Sequence, residues 1–158
     1  MVPKSGIQRA VTEERRMRFL TLGLALSIAL TLQGAPAHAQ DRQSLDQSCR
    51  FQHDDGRAGW STDEVQRTIR CAVRRWPVPG GVDYALYIAN RESGFHQYAY
   101  NPSGCSGVYQ WAGGTWASVL DDFPTLYRVL SHSVWNARSN VMYAVKYAHN
   151  RSWGPWGG

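Results

Sequence analysis

Glu92 is the residue of this chain best placed for acid–base chemistry. Beyond the first 39 residues only two glutamates occur, Glu64 and Glu92. Glu92 follows Val82, Ala85, Leu86 and Ala89, whose i, i+3, i+4, i+7 spacing predicts a helix with one apolar face. Gly94 is the predicted stop of that helix. At 100° per residue, a position seven after Ala85 and three after Ala89 falls on the apolar stripe. The carboxyl should therefore point into the domain or a cleft. Partial burial disfavours the ionised form, a condition that suits a glutamate to general-acid work near neutral pH. The plainer reading is a structural carboxylate paired with an arginine. Arg91 is adjacent in sequence but projects about 100° away, so it is not the expected partner.

The residues after Glu92 are rich in glycine and aromatics. All seven tryptophans and all eight tyrosines lie beyond residue 39. Tyr98, Tyr100, Tyr109, Trp111, Trp116, Trp153 and Trp156 fall in predicted loops or at element ends. Flat rings with a polar edge suit a ligand that alternates C–H faces with hydroxyls, as a sugar does. Trp60, Trp76 and Trp135 are read as core, and Trp111 and Trp116 as walls of a cleft. A lone acid beside aromatic walls points to cleavage of a glycan.

The elements that must hold these residues are short. Ser61 with Glu64 three residues on predicts a capped helix start. Val65, Ile69, Ala72 and Val73 continue it until Pro77–Gly81 breaks it. After the Glu92 helix the period is lost. Asn101-Pro102-Ser103-Gly104 reads as a turn, and Val108–Trp111 as a short strand of a small hairpin. Thr115 is the predicted cap of a helix through Trp116, Val119 and Leu120, interrupted at Phe123-Pro124, with another turn or two from Leu126 to Leu130. Ala137, Val141, Ala144, Val145 and Ala148 define the last helix, followed by an irregular Trp153–Trp156. The expected class is α+β, mostly α, without internal repeats.

Residues 1–39 read as a signal peptide: Arg15, Arg16 and Arg18, an apolar run Phe19–Leu32, then Ala37-His38-Ala39. The run of 14 residues is short of the roughly 20 a spanning helix needs, so no stable membrane anchor is expected. Residues 40–48 read as a flexible lead-in and 49–158 as one domain. The leader takes five of the 17 bases and two of the 12 acids, leaving 12 and ten and a net charge of +2. That balance does not point to nucleic acid. Arg67, Arg70, Arg74 and Arg75 cluster at helical spacing, as a solvated face does. Of Cys49, Cys71 and Cys105, an oxidising compartment would pair two. Cys49–Cys71 is favoured because it staples the leading arm to the first helix; a bridge to Cys105 is the alternative. The histidines show no metal-ligand spacing, and no cofactor is expected.

Taken in order, Glu92-Ser93-Gly94-Phe95, Asn101-Pro102-Ser103-Gly104 and Gly107-Val108-Tyr109-Gln110 resemble the E-S-G-F, S-x-x-G and G-L-M-Q pattern of soluble lytic transglycosylases. Asn140–Tyr147 is similar to the later N-x-x-x-G/A-x-x-Y helix of that family. Trp76–Gly81 and Trp153–Trp156 resemble the W-P-V-P-G-G and W-G-P-W segments of its small exported branch, related to resuscitation-promoting factors. The resemblance implies a lysozyme-like domain with a small β-hairpin flanking a saccharide cleft, and Glu92 as the only catalytic carboxylate. It implies cleft roles for Ser93 and Gln110. With the aromatic reading, the candidate substrate-binding set is Ser93, Tyr109, Gln110, Trp111, Trp116, Asn140, Tyr147 and Trp153. Val108 and Tyr109 stand where the family has Leu and Met, and the A-Y-N-A-G motif of the larger enzymes has no counterpart here.

Ordinary glycosidases use two carboxylates about 5 Å apart when retaining, or roughly 6.5–9.5 Å when inverting. The other candidates are Glu64, Asp83, Asp121 and Asp122, and Asp83 lies about 13 Å from Glu92 along the helix. A single-acid cleavage of the MurNAc–GlcNAc bond of peptidoglycan is therefore expected, giving a lytic transglycosylase of the cell wall. The rivals are a hydrolytic muramidase, if Asp121 or Asp122 reaches the cleft, and a non-catalytic wall-binding module. Peptidoglycan strands are the expected partner, alongside other wall hydrolases. The export reading predicts a protein recovered outside the membrane with Gln40 at its N-terminus. N-terminal sequencing that finds Phe19–Leu32 retained in the membrane fraction would overturn it.

Overall fold

Ser61 starts a helix by exchanging hydrogen bonds with Glu64. The Glu64 amide donates to Ser61 Oγ at 3.3 Å, and the Ser61 amide donates to Glu64 Oε2 at 2.6 Å. This capping box opens α1, Thr62–Arg75, which buries Val65, Thr68, Ile69, Ala72 and Val73. Gly80, at φ +73°, then redirects the chain; a Cβ there would lie 2.6 Å from Tyr84 Cβ. α2, Gly81–Ser93, ends on Gly94 in the left-handed region at φ +60°, its amide donating to Asn90 O at 2.8 Å. Two-residue strands β1, Cys105–Ser106, and β2, Trp111–Ala112, pair antiparallel with Cys105 opposite Ala112. α3 (Gly113–Asp122), α4 (Pro124–Tyr127), α5 (Ala137–Arg151) and a 3-10 turn (Gly154–Trp156) complete the order.

The computed structural model describes residues 44, 45, 47–51 and 58–157, all within the unit His38–Gly158. The predicted signal peptide lies outside the described residues. The class is α+β, mostly helical with one two-stranded sheet. α5 is its axis: residues 137–145 and Ala148 are all buried, and the helix packs chiefly against α1. Among the described residues no helix is long and apolar enough to cross a membrane, and no cluster of potential metal ligands occurs.

Several expectations need correction. The hairpin strand expected at Val108–Trp111 is mostly turn. Gly107 at φ +78° and Gln110 at φ +50° reverse the chain, and Val108 and Tyr109 are both fully buried instead of alternating. α3 starts at Gly113, so Thr115 sits inside its first turn and is not the cap. Of the tryptophans read as core, Trp135 is 36% exposed and Trp60 and Trp76 are only partly buried. The loop tryptophans are the buried ones. The lead-in is anchored at its end, with Leu45 buried and its carbonyl accepting from Arg138 Nη2 at 2.6 Å.

Cys49 is bonded to Cys71 across 22 residues of sequence, and Cys105 is free. The bridge fastens the leading arm to the middle of α1, the pairing favoured from sequence. Closing a loop of that length removes unfolded-state entropy worth about 3 kcal/mol. Replacing both cysteines by serine is predicted to lower the unfolding free energy by about that amount, read from urea denaturation of the two proteins.

Candidate active site

The loop between the two strands is held by one buried amide. Asn140, in the second turn of α5 and fully buried, accepts from the Tyr109 amide through Oδ1 at 2.8 Å. Its Nδ2 donates to Val134 O at 2.9 Å and to Ser106 O at 3.4 Å. Gly107 passes directly over this side chain. A Cβ on Gly107 would collide with Asn140 Nδ2 and lie 2.6 Å from Val134 O. Gln110 closes the loop on itself, donating through Nε2 to Gly107 O at 2.9 Å and Ala99 O at 3.0 Å. Ser93 joins the loop to α2, with Oγ 2.7 Å from Val108 O and 3.1 Å from Ala89 O.

This loop forms one wall of a cleft of about 210 Å³ that contains Glu92. Asn101, Gln110 and Trp111 contribute from the hairpin side, Thr115 from α3 and Trp156 from the 3-10 turn. Free Cys105 also lines it. Glu92 is the only carboxylate among these residues, with its side chain 24% exposed. A larger cavity, about 400 Å³ between Trp60 and Arg138, has no carboxylate among its described lining residues. Chemistry, not volume, selects the smaller cleft.

Arg91 is the partner of Glu92, against the expectation from helical geometry. Its Nη2 lies 2.6 Å and its Nε 3.1 Å from Glu92 Oε1. The helix separates the two Cβ directions, but the long arginine side chain bends back along the surface. The same Nη2 donates to Trp156 O at 2.6 Å, and the guanidinium lies over the Tyr87 ring at 5.7 Å. The bond to Glu92 raises the Arg91 pKa above its ordinary value, against a smaller desolvation effect that lowers it. Both bonds from Arg91 to Glu92 are to Oε1; among the described residues no protein group hydrogen-bonds Glu92 Oε2.

The remaining predicted residues divide sharply. Gln110 and Trp111 reach the cleft with Glu92. Ser93, Tyr109, Trp116, Asn140 and Trp153 instead build its support. Tyr109 is fully buried, donates its hydroxyl to Ala85 O at 3.0 Å and stacks on Trp153 at 5.8 Å. Burial pushes its phenol well above the ordinary value. Trp116 is 8% exposed and Trp153 1% exposed, with indole N–H groups spent on His132 O and Pro79 O. Tyr147 lines an adjoining cleft of about 280 Å³ that shares Thr115 and contains Asp122, itself paired with Arg151 at 2.8 Å. Asp83 and Asp121 are exposed, and Glu64 belongs to the α1 capping box.

Sequence reasoning missed Arg91, Asn101, Thr115 and Cys105 as neighbours of Glu92. Asn101 was legible only as a turn residue, which it also is: its Oδ1 accepts from the Cys105 amide at 3.0 Å. No protein-family profile, curated protein or solved structure matches this chain. The arrangement sets one partly shielded carboxylate, paired with Arg91, beside amide, hydroxyl, thiol and indole side chains. That geometry depends on Asn140. Asn140→Ala would leave the Tyr109 N–H and Val134 C=O without partners, and is predicted to cost about 3 kcal/mol. Urea denaturation measures the loss, and amide shifts of Gly107 and Tyr109 should report the released loop.

Proposed function

We propose that this protein is a lysozyme-like enzyme of the cell wall that cleaves the MurNAc–GlcNAc β-1,4 bond of peptidoglycan, as a lytic transglycosylase does. The observation that carries the reading is Glu92 as the single carboxylate of a cleft whose other described lining is uncharged amide, hydroxyl, thiol and aromatic surface. Its position at the end of α2, facing a glycine-containing hairpin loop, agrees with the order of the motifs that resemble that family. The Cys49–Cys71 bridge is compatible with an exported protein.

In this reading Glu92 serves first as the acid and then as the base. Its proton passes to the glycosidic oxygen as the bond from that oxygen to the MurNAc anomeric carbon breaks. The N-acetyl oxygen of the same sugar closes on the anomeric carbon and carries the developing positive charge, as in substrate-assisted glycosidases. Glu92, now a carboxylate, takes the proton of the MurNAc C6 hydroxyl. That oxygen attacks the anomeric carbon, the N-acetyl group is released, and a 1,6-anhydro sugar results with Glu92 reprotonated. Hydrolysis by the same acid would place water where the C6 hydroxyl acts. Asp122, in the adjoining cleft, is engaged by Arg151.

Glu92→Gln keeps the shape and removes the proton transfer. Turnover of a peptidoglycan suspension should fall by roughly 10²–10⁴-fold while strand binding is retained. Mass analysis of wild-type products should find anhydro-muropeptides, one water lighter than hydrolytic ones. Reducing-end products alone would favour the muramidase, and an active Glu92→Gln variant would exclude both.

A further inference from the structure

Arg91 sits at the rim of the cleft with a partner it can give up. Its side chain is 40% exposed and that of Glu92 24%, and ion pairs this accessible to water contribute little to stability. The guanidinium is nevertheless well placed. Tyr87 supports its plane at 5.7 Å, and the Trp156 carbonyl holds Nη2 at 2.6 Å independently of Glu92. Tyr87 is itself 55% exposed, so this face of α2 is open to solvent. The cleft it borders has one formal charge among its described lining residues, the negative charge of Glu92. An anionic strand entering that cleft would meet repulsion unless a cation at the rim received its charge.

We infer that Arg91 is a specificity-determining residue that exchanges the Glu92 carboxylate for a carboxylate of the incoming glycan strand. This rests on the glycan-cleaving reading above and adds to it the substrate's anionic group. Guanidinium binds carboxylates through paired N–H donors, so one carboxylate replaces another with the same bonding. The Trp156 carbonyl and Tyr87 ring keep the arginine in place during the exchange. Both oxygens of Glu92 are then free of the guanidinium, so the group can take up a proton from water and present it to the glycosidic oxygen. That couples recognition of an acidic strand to the acid step. In a strand that bears stem peptides the lactyl carboxyl is tied up as an amide, so the carboxylate comes from the peptide; where the peptide has been removed, the lactyl group itself presents one.

The test compares three ligands on the wild-type protein and on Arg91→Met and Arg91→Lys. They are soluble strands with stem peptides, the same strands after amidase removal of the peptides, and neutral β-1,4-linked GlcNAc hexamer. Affinity is read by calorimetry in the Glu92→Gln background, and turnover with Glu92 intact. Arg91→Met should weaken binding of stem-bearing strands at least about tenfold, the low end for a hydrogen bond to a charged group. The neutral hexamer should change less than twofold, and Arg91→Lys should recover part of the loss. Discrimination retained on amidase-treated strands shows that the lactyl carboxylate freed there also serves, and its loss shows that only a carboxylate of the stem peptide does. Equal weakening on all three ligands would mean that Arg91 only braces Glu92 and Trp156, and would overturn the inference. So would no weakening at all, or failure of the wild-type protein to bind any of the three. Should Arg91→Met not fold, the Arg91→Lys comparison across the same ligands decides alone. Charge-selective binding without turnover would remove the catalytic reading and leave Arg91's role standing; turnover without charge selectivity would do the reverse.

Discussion

The amide of Asn140 is the point from which both walls of the cleft are set. Its three hydrogen bonds join α5 to the hairpin loop and to the segment before α5, and the two to the loop are buried. An amide buried this completely is costly unless every group is paired, so the loop has one acceptable position over it. Gly107 is required there because Val134 O and the Asn140 side chain leave no room for a Cβ. Once Tyr109 is fixed by its amide, its ring fixes Trp153, and its carbonyl accepts from Trp156 Nε1 at 2.7 Å. Trp156 O then receives Arg91, which reaches Glu92. The carboxylate's surroundings thus trace back through a continuous chain of bonds to one side chain in α5.

The tryptophans serve the fold more than the surface. Each of the four most buried ones sends its indole N–H to a backbone carbonyl of another segment: Trp111 to Asn140, Trp116 to His132, Trp153 to Pro79 and Trp156 to Tyr109. A short-element domain has few long helix–helix seams, and large rings with one polar tip fill volume while tying loops together. Trp111 meets Trp156 edge-on at 4.9 Å, and Tyr147 meets Trp111 edge-on at 6.0 Å. Trp111 and Trp156 border the cleft together with the amides Asn101 and Gln110. The exposed aromatic rings are Tyr87, beneath Arg91, and Tyr98, Tyr100, Tyr127 and Trp135, none of which lines this cleft.

Much of the fold was legible because its determinants are local. The Ser61–Glu64 box, the Gly94 stop, the Asn101–Gly104 turn and the apolar spacing of α1, α2 and α5 are contacts within a few residues of chain. Glu92 at the end of an apolar helix face follows from the same periodicity. The hairpin was displaced because a tight turn with two positive φ values can bury consecutive residues, and alternation is the only signal that marks a short strand from sequence.

By itself the sequence determined α1, α2 and α5, the Ser61 and Gly94 caps and the place of Glu92, since each depends on neighbours three or four residues away. Tertiary structure alone decided which aromatics are pillars and which face water. It also decided that Ser93 and Asn140 bind backbone within the fold, and that Arg91 folds back onto Glu92. The physical reason is range. Asn140 meets Tyr109 across 31 positions and Arg91 meets Trp156 across 65, separations at which no periodicity connects the partners. For Arg91 and Glu92 the chain distance is one, yet helix geometry sends their Cβ atoms apart. Only the side chain's length and the carbonyl waiting at Trp156 bring the guanidinium back.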